Sequence, residues 1–377
     1  MRRFILLVAL VALLSSTGPG TASERLSVAA KGAVLIDADS GRILFGQNEN
    51  ALYPMASTTK VMTTLLALEN AALDERVTAG KNAYGVPGTS LYLSEGETLS
   101  MEQMLYGLML RSGNDAAVAV AEHISGSVAQ FAELMNNRAR ELGIDAHFVN
   151  PHGLDADGHE ISALGLALVM RQAMQNPDFR VITSTQRKVI PWVGNEYSRV
   201  LENKNRLLKT YEGATGGKTG YTGKAGRCLV FSARRDGLEL IGAVLNCPTW
   251  FDTATLMLDW GFENFRTERA VDAGEAIAVL PVRGGVYESV ALVADGPLRT
   301  AVPVGSHVKT DYSLPTEVEA PVRAGDQLGT ATLTANGEIV ARCGLVAASD
   351  VQKRSFLESF KRLLRHWVLQ LQPSATS

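Results

Sequence analysis

Hydrophobic residues recur with two different periods over the first two thirds of the chain. In some stretches they alternate or run together between turn residues, which is typical of β-strands, and in others they recur every three or four positions, which is typical of helices. The predicted strands are Ala33–Ile36 and Arg42–Phe45, joined by a turn at Asp39-Ser40-Gly41, and strand-like patterns return after Lys218. The predicted helices are Ser57–Glu69, Phe131–Leu142, Asp252–Phe262 and two flanking Arg111-Ser112-Gly113-Asn114 within Met101–Ile124. This mixture predicts an α/β domain over residues 24–266.

From Thr267 to about Ser349 helical spacing gives way to short alternating runs. The runs are Ala276–Val282, Ser289–Ala294, Val302–Tyr312 and Gln327–Leu333, separated by turn sequences such as Gly284-Gly285 and Asn336-Gly337. Their number and spacing predict a small, sandwich-like all-β domain over residues 267–350. Because no group of potential catalytic residues occurs there, we expect this domain to be a structural spacer.

The last predicted element has one apolar stripe and many cations. The stripe consists of Phe356, Leu357, Phe360, Leu363, Leu364, Trp367, Val368 and Leu371, and the cations are Lys353, Arg354, Lys361, Arg362 and Arg365, joined by His366. Such a helix either docks on the protein's own body or lies in a membrane interface. The clustered cations, the tryptophan and the position after a complete domain favour the second interpretation. We therefore expect residues 351–372 to bind a membrane surface.

The N-terminus has the pattern of a secretory signal. Arg2 and Arg3 precede an apolar run from Phe4 to Leu14, and small residues lead to a plausible cleavage point near Thr21-Ala22-Ser23. The apolar run is too short to span a bilayer. We expect residues 1–23 to be removed and the mature protein to act outside the cytoplasm, on the outer face of the cytoplasmic membrane.

Composition narrows the partners of the chain. Hydrophobic residues make up 46% and charged residues 20% of the sequence, which is ordinary for a globular protein, and the net charge of −3 gives no support for a nucleic-acid partner. Three cysteines do not make a disulfide framework. A hairpin turning at Arg235-Asp236-Gly237 predicts Cys228 opposite Ala243, too far from Cys247 for a bond. We expect free, mostly buried thiols.

Three short motifs carry the candidate chemistry. They are Ser57-Thr58-Thr59-Lys60 (S-x-x-K), Ser112-Gly113-Asn114 (S-x-N) and Lys218-Thr219-Gly220 (K-T-G). Each is weak alone, but their order and the elements that carry them make coincidence improbable, and the set is that of class A β-lactamases and penicillin-binding proteins.

Ser57 and Lys60 have the spacing of a nucleophile and its base. Residues three apart on a helix share a face, so Lys60 reaches the hydroxyl of Ser57. Burial and a neighbouring cation such as Lys218 would lower the pKa of Lys60 and let its neutral amine take the serine proton. Free N–H groups at the helix N-terminus favour a developing oxyanion. Ser57 alone would be interpreted as a helix N-cap; the other motifs favour the nucleophile.

The remaining two motifs supply polar groups around that serine. Gly113 predicts a tight turn between helices that presents Ser112 and Asn114 on one rim, for proton relay and for hydrogen bonding to a substrate amide; a plain helix corner is the alternative. Gly220 lets substrate backbone approach a strand. Lys218 and Thr219 are suited to hold a carboxylate.

With these motifs in place, the chain resembles the low-molecular-mass penicillin-binding proteins of the D-alanyl-D-alanine carboxypeptidase family. The resemblance extends over Tyr53–Thr63, Arg111–Ala117, His147–Leu154 and Lys218–Gly226, and more weakly from about residue 27 to 371. It implies an antiparallel sheet flanked by helices plus an all-helical subdomain, followed by the small β domain and the amphipathic tail.

The resemblance also implies an activity. It implies that a Ser57 acyl-enzyme removes the terminal D-alanine from peptidoglycan stem peptides, without a cofactor, and that β-lactams inhibit covalently at Ser57. By the same comparison the oxyanion hole is formed by the backbone N–H groups of Ser57 and Tyr221. One departure is Gly216-Gly217, where the family usually has a glycine and an apolar residue, and we expect it to loosen the strand edge and to affect substrate preference.

Three alternatives remain to be weighed. Five residues in one short stretch, His147, His152, Asp155, Asp157 and His159, are of metal-ligating types, but no two histidines have helical zinc spacing, and we expect no metal. A class A β-lactamase requires a glutamate that positions water, and residues 145–159 contain none. A non-catalytic wall-binding scaffold would not need all three motifs intact.

Overall fold

The structure, a computed structural model, describes residues 26–357 and residue 360. The strands up to residue 245 are β1 (Gly32–Asp37), β2 (Ile43–Gln47), β3 (Leu52–Tyr53), β4 (Arg76–Thr78), β5 (Thr98–Ser100), β6 (Ala146–His147), β7 (Glu160–Ser162), β8 (Arg187–Ile190), β9 (Arg199–Glu202), β10 (Ala214–Thr222), β11 (Gly226–Arg235) and β12 (Leu238–Leu245). The helices are α1 (Lys60–Asn70), α2 (Met101–Tyr106), α3 (Asn114–Ser125), α4 (Val128–Glu141), α5 (Ala163–Ala173), α6 (Pro177–Ser184), α7 (Leu207–Thr210) and α8 (Trp250–Asn264). The signal segment and most of the predicted tail lie outside the described residues.

A five-stranded antiparallel sheet forms the centre of the first domain. Its strand order is β10-β11-β12-β1-β2, and β1 is buried along its whole length. Side chains of successive strand residues point to opposite faces. Val34 accordingly packs in a core with Leu65 of α1, whereas Leu35 packs in a separate core with Leu258 of α8. The sheet is therefore covered on both faces, as the predicted α/β architecture requires.

The helical segment around the second motif turns at a different residue from the one expected. A π-helical turn (Gly107–Arg111) follows α2, and Ser112, rather than Gly113, adopts the left-handed conformation with φ of 68°. Gly113 has an ordinary φ of −60°, but a Cβ atom there would lie 3.0 Å from Leu91 Cγ. Its small size is thus needed for packing. The expected tight turn between helices is present at Ser112-Gly113, but Ser112 supplies its left-handed residue.

The β11–β12 hairpin also has a register different from the predicted one. Val230, not Cys228, pairs with Ala243, because the turn consists of Asp236 and Gly237 alone. Cys228 and Cys247 are unbridged and belong to the cores on opposite faces of the sheet. Cys343 is also free and buried.

The second domain is built from β-strands. They are β13 (Phe265–Val271), β14 (Ala276–Arg283), β15 (Ser289–Ala294), β16 (Leu298–Pro303), β17 (Val308–Ser313), β18 (Val318–Glu319), β19 (Gln327–Ala335) and β20 (Glu338–Ala347). Six of them form a sheet in the order β17-β19-β20-β15-β14-β18, and β13 pairs with β16. The predicted run Val302–Tyr312 is therefore two strands in two sheets.

The end of this domain lies later than predicted. Val351 is buried and bridges to Val322, and Lys353 bridges to Gly285, so these residues belong to the β domain and not to an amphipathic helix. Helical structure in this part of the described chain starts at Phe356. None of the helices within residues 26–357 combines the length and the apolar character needed to cross a bilayer.

Direct hydrogen bonds join the two domains. The Ala301 N–H of β16 donates to the Asp37 carboxylate at 3.1 Å, and the hydroxyls of Ser40 and Thr300 lie 2.9 Å apart. Arg299 forms an ion pair with Asp39 at 2.9 Å. These contacts attach the β domain to the edge of the central sheet near β1 and β2.

Candidate active site

Ser57 lies in a 3₁₀ turn (Ala56–Thr59) that leads into α1, and Lys60 is the first residue of that helix. Ser57 is half-buried, whereas Lys60 is fully buried. The Lys60 Nζ atom lies 3.0 Å from Ser57 Oγ, as the three-residue spacing predicts. A serine hydroxyl accessible to solvent thus has a buried amine directly behind it.

The environment of Lys60 favours the neutral amine. Burial lowers the pKa of Lys60 well below its ordinary value, and the charges of Lys218 and Lys204 lower it further. Its Nζ atom also lies 2.7 Å from Asn114 Oδ1 and 2.5 Å from the His152 carbonyl oxygen. A neutral amine has two hydrogens for these two oxygens, so its lone pair is left for the Ser57 hydroxyl.

The second motif is held against both lysines. Ser112 and Asn114 are buried, and Ser112 Oγ accepts a hydrogen bond of 3.1 Å from Lys218 Nζ. The Asn114 amide donates to the Pro87 carbonyl at 2.7 Å and its oxygen faces Lys60. The motif therefore connects Lys60 on α1 to Lys218 on β10.

Lys218 is deeply buried, although it lies on β10, an edge strand of the central sheet. It is 1% exposed, and Nζ donates to Ser112 Oγ and, at 2.9 Å, to the Thr219 carbonyl. Burial lowers the pKa of Lys218 to about 7, with a further contribution from the charge of Lys204. Because its whole side chain lies inside the protein, Lys218 also contributes to packing.

Two glycines allow three chain segments to meet at the nucleophile. A Cβ atom on Gly220 would lie 2.8 Å from the Ser57 backbone nitrogen, and one on Gly153 would lie 1.9 Å from the Ala56 carbonyl oxygen. Ala56 itself has a positive φ of 49°, a conformation that costs a residue with a Cβ atom free energy. The backbone next to Ser57 is therefore held in a strained conformation by close packing.

Hydrogen bonds at Gly216 and Gly217 hold the strand that carries the third motif. Gly217 has φ of 147°, and its N–H donates to Thr183 Oγ1 at 3.0 Å. The Asn205 amide donates to the Gly216 carbonyl at 3.2 Å, and a Cβ atom on Gly216 would lie 2.4 Å from Thr183 Cγ2. Thr183 and Asn205 thus hold this part of β10 in place, in contrast to the expected loosening. The ring of Tyr221, which directly follows the third motif, is exposed.

Three of the five metal-type residues, His147, Asp155 and His159, form hydrogen bonds with separate partners. The Val149 N–H donates to His159 Nδ1 at 3.0 Å, which leaves Nε2–H to donate to Thr59 Oγ1 at 2.9 Å. His147 Nδ1 donates to the Gly158 carbonyl, and Asp155 accepts from Thr222. No group of three potential metal ligands occurs in the described part of the chain.

Two features of the site were missed by sequence reasoning. The His152 carbonyl is a backbone acceptor, and a side-chain motif carries no information about it. Lys204, in the segment after β9, lowers the pKa of both Lys60 and Lys218. Its place in Asn203-Lys204-Asn205 was the available clue, since the Asn205 amide donates to the Gly216 carbonyl on the strand that carries Lys218.

Comparison with known proteins agrees with this geometry. A family model described as D-alanyl-D-alanine carboxypeptidase matches residues 19–249, and one described as penicillin-binding protein 5, C-terminal domain, matches residues 265–353. The chain is 33% identical over 362 residues to the D-alanyl-D-alanine carboxypeptidase DacF of Bacillus subtilis, covering 92% of each chain. It is 32% identical over 372 residues to DacA of Escherichia coli, covering 90% of this chain and 88% of that protein.

A solved structure is also similar to this chain over both domains. Penicillin-binding protein 5 from Haemophilus influenzae superposes with a TM-score of 0.78 at 31% identity, covering 87% of this chain and 99% of that one. Fold, motif geometry and sequence similarity agree over both domains. The chain therefore belongs to the D-alanyl-D-alanine carboxypeptidase family and is a serine peptidase of the penicillin-binding type.

Proposed function

We propose that this carboxypeptidase removes the terminal D-alanine from peptidoglycan pentapeptide stems through an acyl-enzyme on Ser57. The observation that carries the proposal is the 3.0 Å contact between Ser57 Oγ and the buried Lys60 amine. In the acylation step Lys60 takes the hydroxyl proton while the Ser57 oxygen bonds to the carbonyl carbon of the penultimate D-alanine. The peptide C–N bond breaks, and the terminal D-alanine leaves with a proton on its amine.

The other motif residues complete this reaction. Ser112 Oγ lies 3.1 Å from Lys218 Nζ, and we assign to Ser112 the return of the proton to the leaving amine. Asn114 holds Lys60 and is suited to bind the substrate amide. The backbone N–H groups of Ser57 and Tyr221 are assigned to the oxyanion, which the close approach of Gly220 to the Ser57 nitrogen supports.

We assign recognition of the substrate's terminal carboxylate to Lys218, Thr219 and the adjoining Gly220. A carboxylate bound beside Lys218 would favour its protonated form, because an opposite charge raises the pKa of an amine. A β-lactam carries a carboxylate and a reactive amide at comparable positions. The same residues then support covalent inhibition at Ser57.

We also propose that the exported protein is held at the membrane by its C-terminal tail. Phe356 is 86% exposed at the start of the tail, and Leu357 and Phe360 are exposed too, which argues against a helix docked on the protein's body. Tyr287, on the connection between β14 and β15, is exposed as well. It lies at the end of the β domain where the tail begins, since the neighbouring Val286 N–H donates to the Gln352 carbonyl. We place the catalytic domain at residues 24–264 and the spacer at residues 265–355.

Two parallel measurements distinguish this function from the alternative functions. The release of D-alanine from diacetyl-Lys-D-Ala-D-Ala is measured beside covalent labelling by a fluorescent penicillin. Release together with slow loss of the penicillin label supports the carboxypeptidase. Labelling without release would support a wall-binding scaffold, and rapid β-lactam hydrolysis would support a β-lactamase.

A further inference from the structure

A pocket outside the candidate active site opens next to the S-x-N motif. It has a volume of about 270 Å³, and its lining includes Arg111, the residue directly before Ser112. The rings of Tyr92 and Trp192 line it as well, while the buried side chains of Leu91 and Leu201 close its base. None of these residues takes part in the reaction assigned above.

Tyr92 is kept in a conformation that presents its ring to solvent. It has a positive φ of 58°, which is costly for a residue with a large side chain, and the side chain is 66% exposed. The N–H groups of Leu91 and Leu93 on either side both donate to the buried Asp115 carboxylate, at 2.9 Å and 3.1 Å. Asp115 directly follows Asn114 of the S-x-N motif, so the segment that carries the motif also fixes the backbone on both sides of Tyr92.

The opposite wall of the pocket is rigid too. Trp192 lies on the connection between β8 and β9, with the Arg199 guanidinium 5.0 Å from its ring centroid. Arg199 forms a buried ion pair with Glu97 at 2.6 Å and donates to the Leu91 and Tyr92 carbonyls. The two aromatic walls are thereby linked through one arginine.

Arg111 is the cation that remains available in this pocket. It is exposed, and its guanidinium makes no hydrogen bond or ion pair with another residue of the described chain. Its charge lowers the pKa of Lys204, whose charge in turn lowers the pKa of Lys60 and of Lys218. Arg111 therefore lies close enough to Lys204 for its charge to act there.

We propose that this pocket is a subsite for the side chain of the stem residue that precedes the two D-alanines, and that it prefers an aliphatic side chain ending in a carboxylate. The aliphatic part packs between the two aromatic rings, and the guanidinium binds the carboxylate in a bidentate manner. That residue directly precedes the acylated D-alanine, and Arg111 of the pocket directly precedes Ser112, whose Oγ lies 3.1 Å from Lys218 Nζ in the candidate active site. The inference rests on the proposed function.

The test compares two peptides that differ only at that position. One carries a diaminopimelyl residue with its side-chain carboxylate, and the other carries the same residue with that carboxylate amidated; both end in D-Ala-D-Ala. We expect the wild-type enzyme to prefer the carboxylate by about tenfold in kcat/KM, and Arg111→Met to bring the ratio close to one. Tyr92→Ala and Trp192→Ala should raise KM for both peptides, since they remove the walls that hold the aliphatic part.

Two matched substitutions on the β8–β9 hairpin, which also carries Trp192, serve as controls. Tyr197→Ala removes a ring that is 77% exposed outside the pocket, and Arg187→Met removes an exposed cation of β8. Both should retain the wild-type ratio. A wild-type ratio near one with normal D-alanine release, or a ratio that Arg187→Met lowers as much as Arg111→Met, would overturn the subsite alone. Failure to release D-alanine from either peptide would overturn the proposed function and the subsite with it.

Discussion

The backbone carbonyl of His152 accepts a hydrogen bond of 2.5 Å from the Lys60 amine, across 92 residues of sequence. The segment around His152 therefore helps to orient the Lys60 amine, and it does so through a backbone atom. Gly153 makes this arrangement possible, because its φ is 87° and it packs against the Ala56 carbonyl.

Gly153→Ala should consequently disable the site. The added Cβ atom would lie 1.9 Å from the Ala56 carbonyl oxygen, so the segment next to Ser57 has to move. A displacement of about 1 Å at reacting groups costs on the order of 10²-fold in rate, which we expect for penicillin labelling. Gly143→Ala is the control: its φ is 66°, but nothing lies within 4 Å of the new atom. It should lose about 1–2 kcal/mol of stability and keep its labelling rate.

Ser57→Ala should abolish both penicillin labelling and D-alanine release. Lys60→Ala should reduce both by roughly 10²–10⁴-fold, the usual contribution of a general base. In the wild type the acylation rate should rise with pH as Lys60 loses its proton, with a midpoint well below the ordinary value of 10.5, because burial disfavours its charged form. Stopped-flow acylation across the pH range measures this. Undiminished labelling of Lys60→Ala would remove the lysine from the base role.

Recognition of the terminal carboxylate should weaken as pH rises. Lys218 has a pKa of about 7, so its cationic fraction falls between pH 6 and pH 8. We expect the preference for a free over an amidated C-terminus, measured as a ratio of kcat/KM values, to decline over that interval. Lys218→Met should lose the preference while filling the same space. Equal rates on both substrates in the wild type would show that Lys218 does not bind the carboxylate.

Acid should destabilise the protein through His159. Burial lowers its pKa from 6.5 to about 4, so the unfolded chain binds the extra proton more readily between these values. The free energy of unfolding should therefore fall as pH drops from 6.5 to 4, by about 3 kcal/mol from this residue. His159→Gln should be less stable at pH 7, since it disturbs the hydrogen bonds to Val149 and Thr59, but it should show a smaller decline. Urea titrations at pH 7, 5 and 4 measure both effects, and a parallel decline in the variant would contradict this role of His159.

The sequence predicted those features that depend on local spacing. The contact between Ser57 and Lys60 follows from helix geometry, and the strands around Val34 follow from alternation. Features set by packing between distant segments were not predictable. Ser112, not Gly113, adopts the left-handed conformation, and Leu91 from a distant segment occupies the space where a Cβ atom of residue 113 would lie. The depth of Lys218 depends on Ser112, a residue of another subdomain.

The tail is the part of the proposal least dependent on the catalytic motifs. Each large apolar side chain that enters the lipid contributes roughly 1.5–3 kcal/mol, so partial insertion of several suffices for binding. Each nearby cation adds about 1 kcal/mol at an anionic surface. The number of charges prevents the segment from spanning the bilayer, so it should lie in the interface with the catalytic domain held away by the β domain.

Truncation after Ser355 tests this without damaging the fold. An earlier cut, near Ala348, would remove the buried Val351 and the Arg354 N–H that donates to the Gly284 carbonyl. The truncated enzyme should keep its kcat/KM on small peptides, because the catalytic residues lie in the other domain. In flotation assays the full-length protein should rise with vesicles containing anionic lipid, and the truncated form should stay in the dense fraction. If both forms float equally, or neither floats, the tail is not a membrane anchor, and the alternative of a helix docked on the protein's own body is favoured.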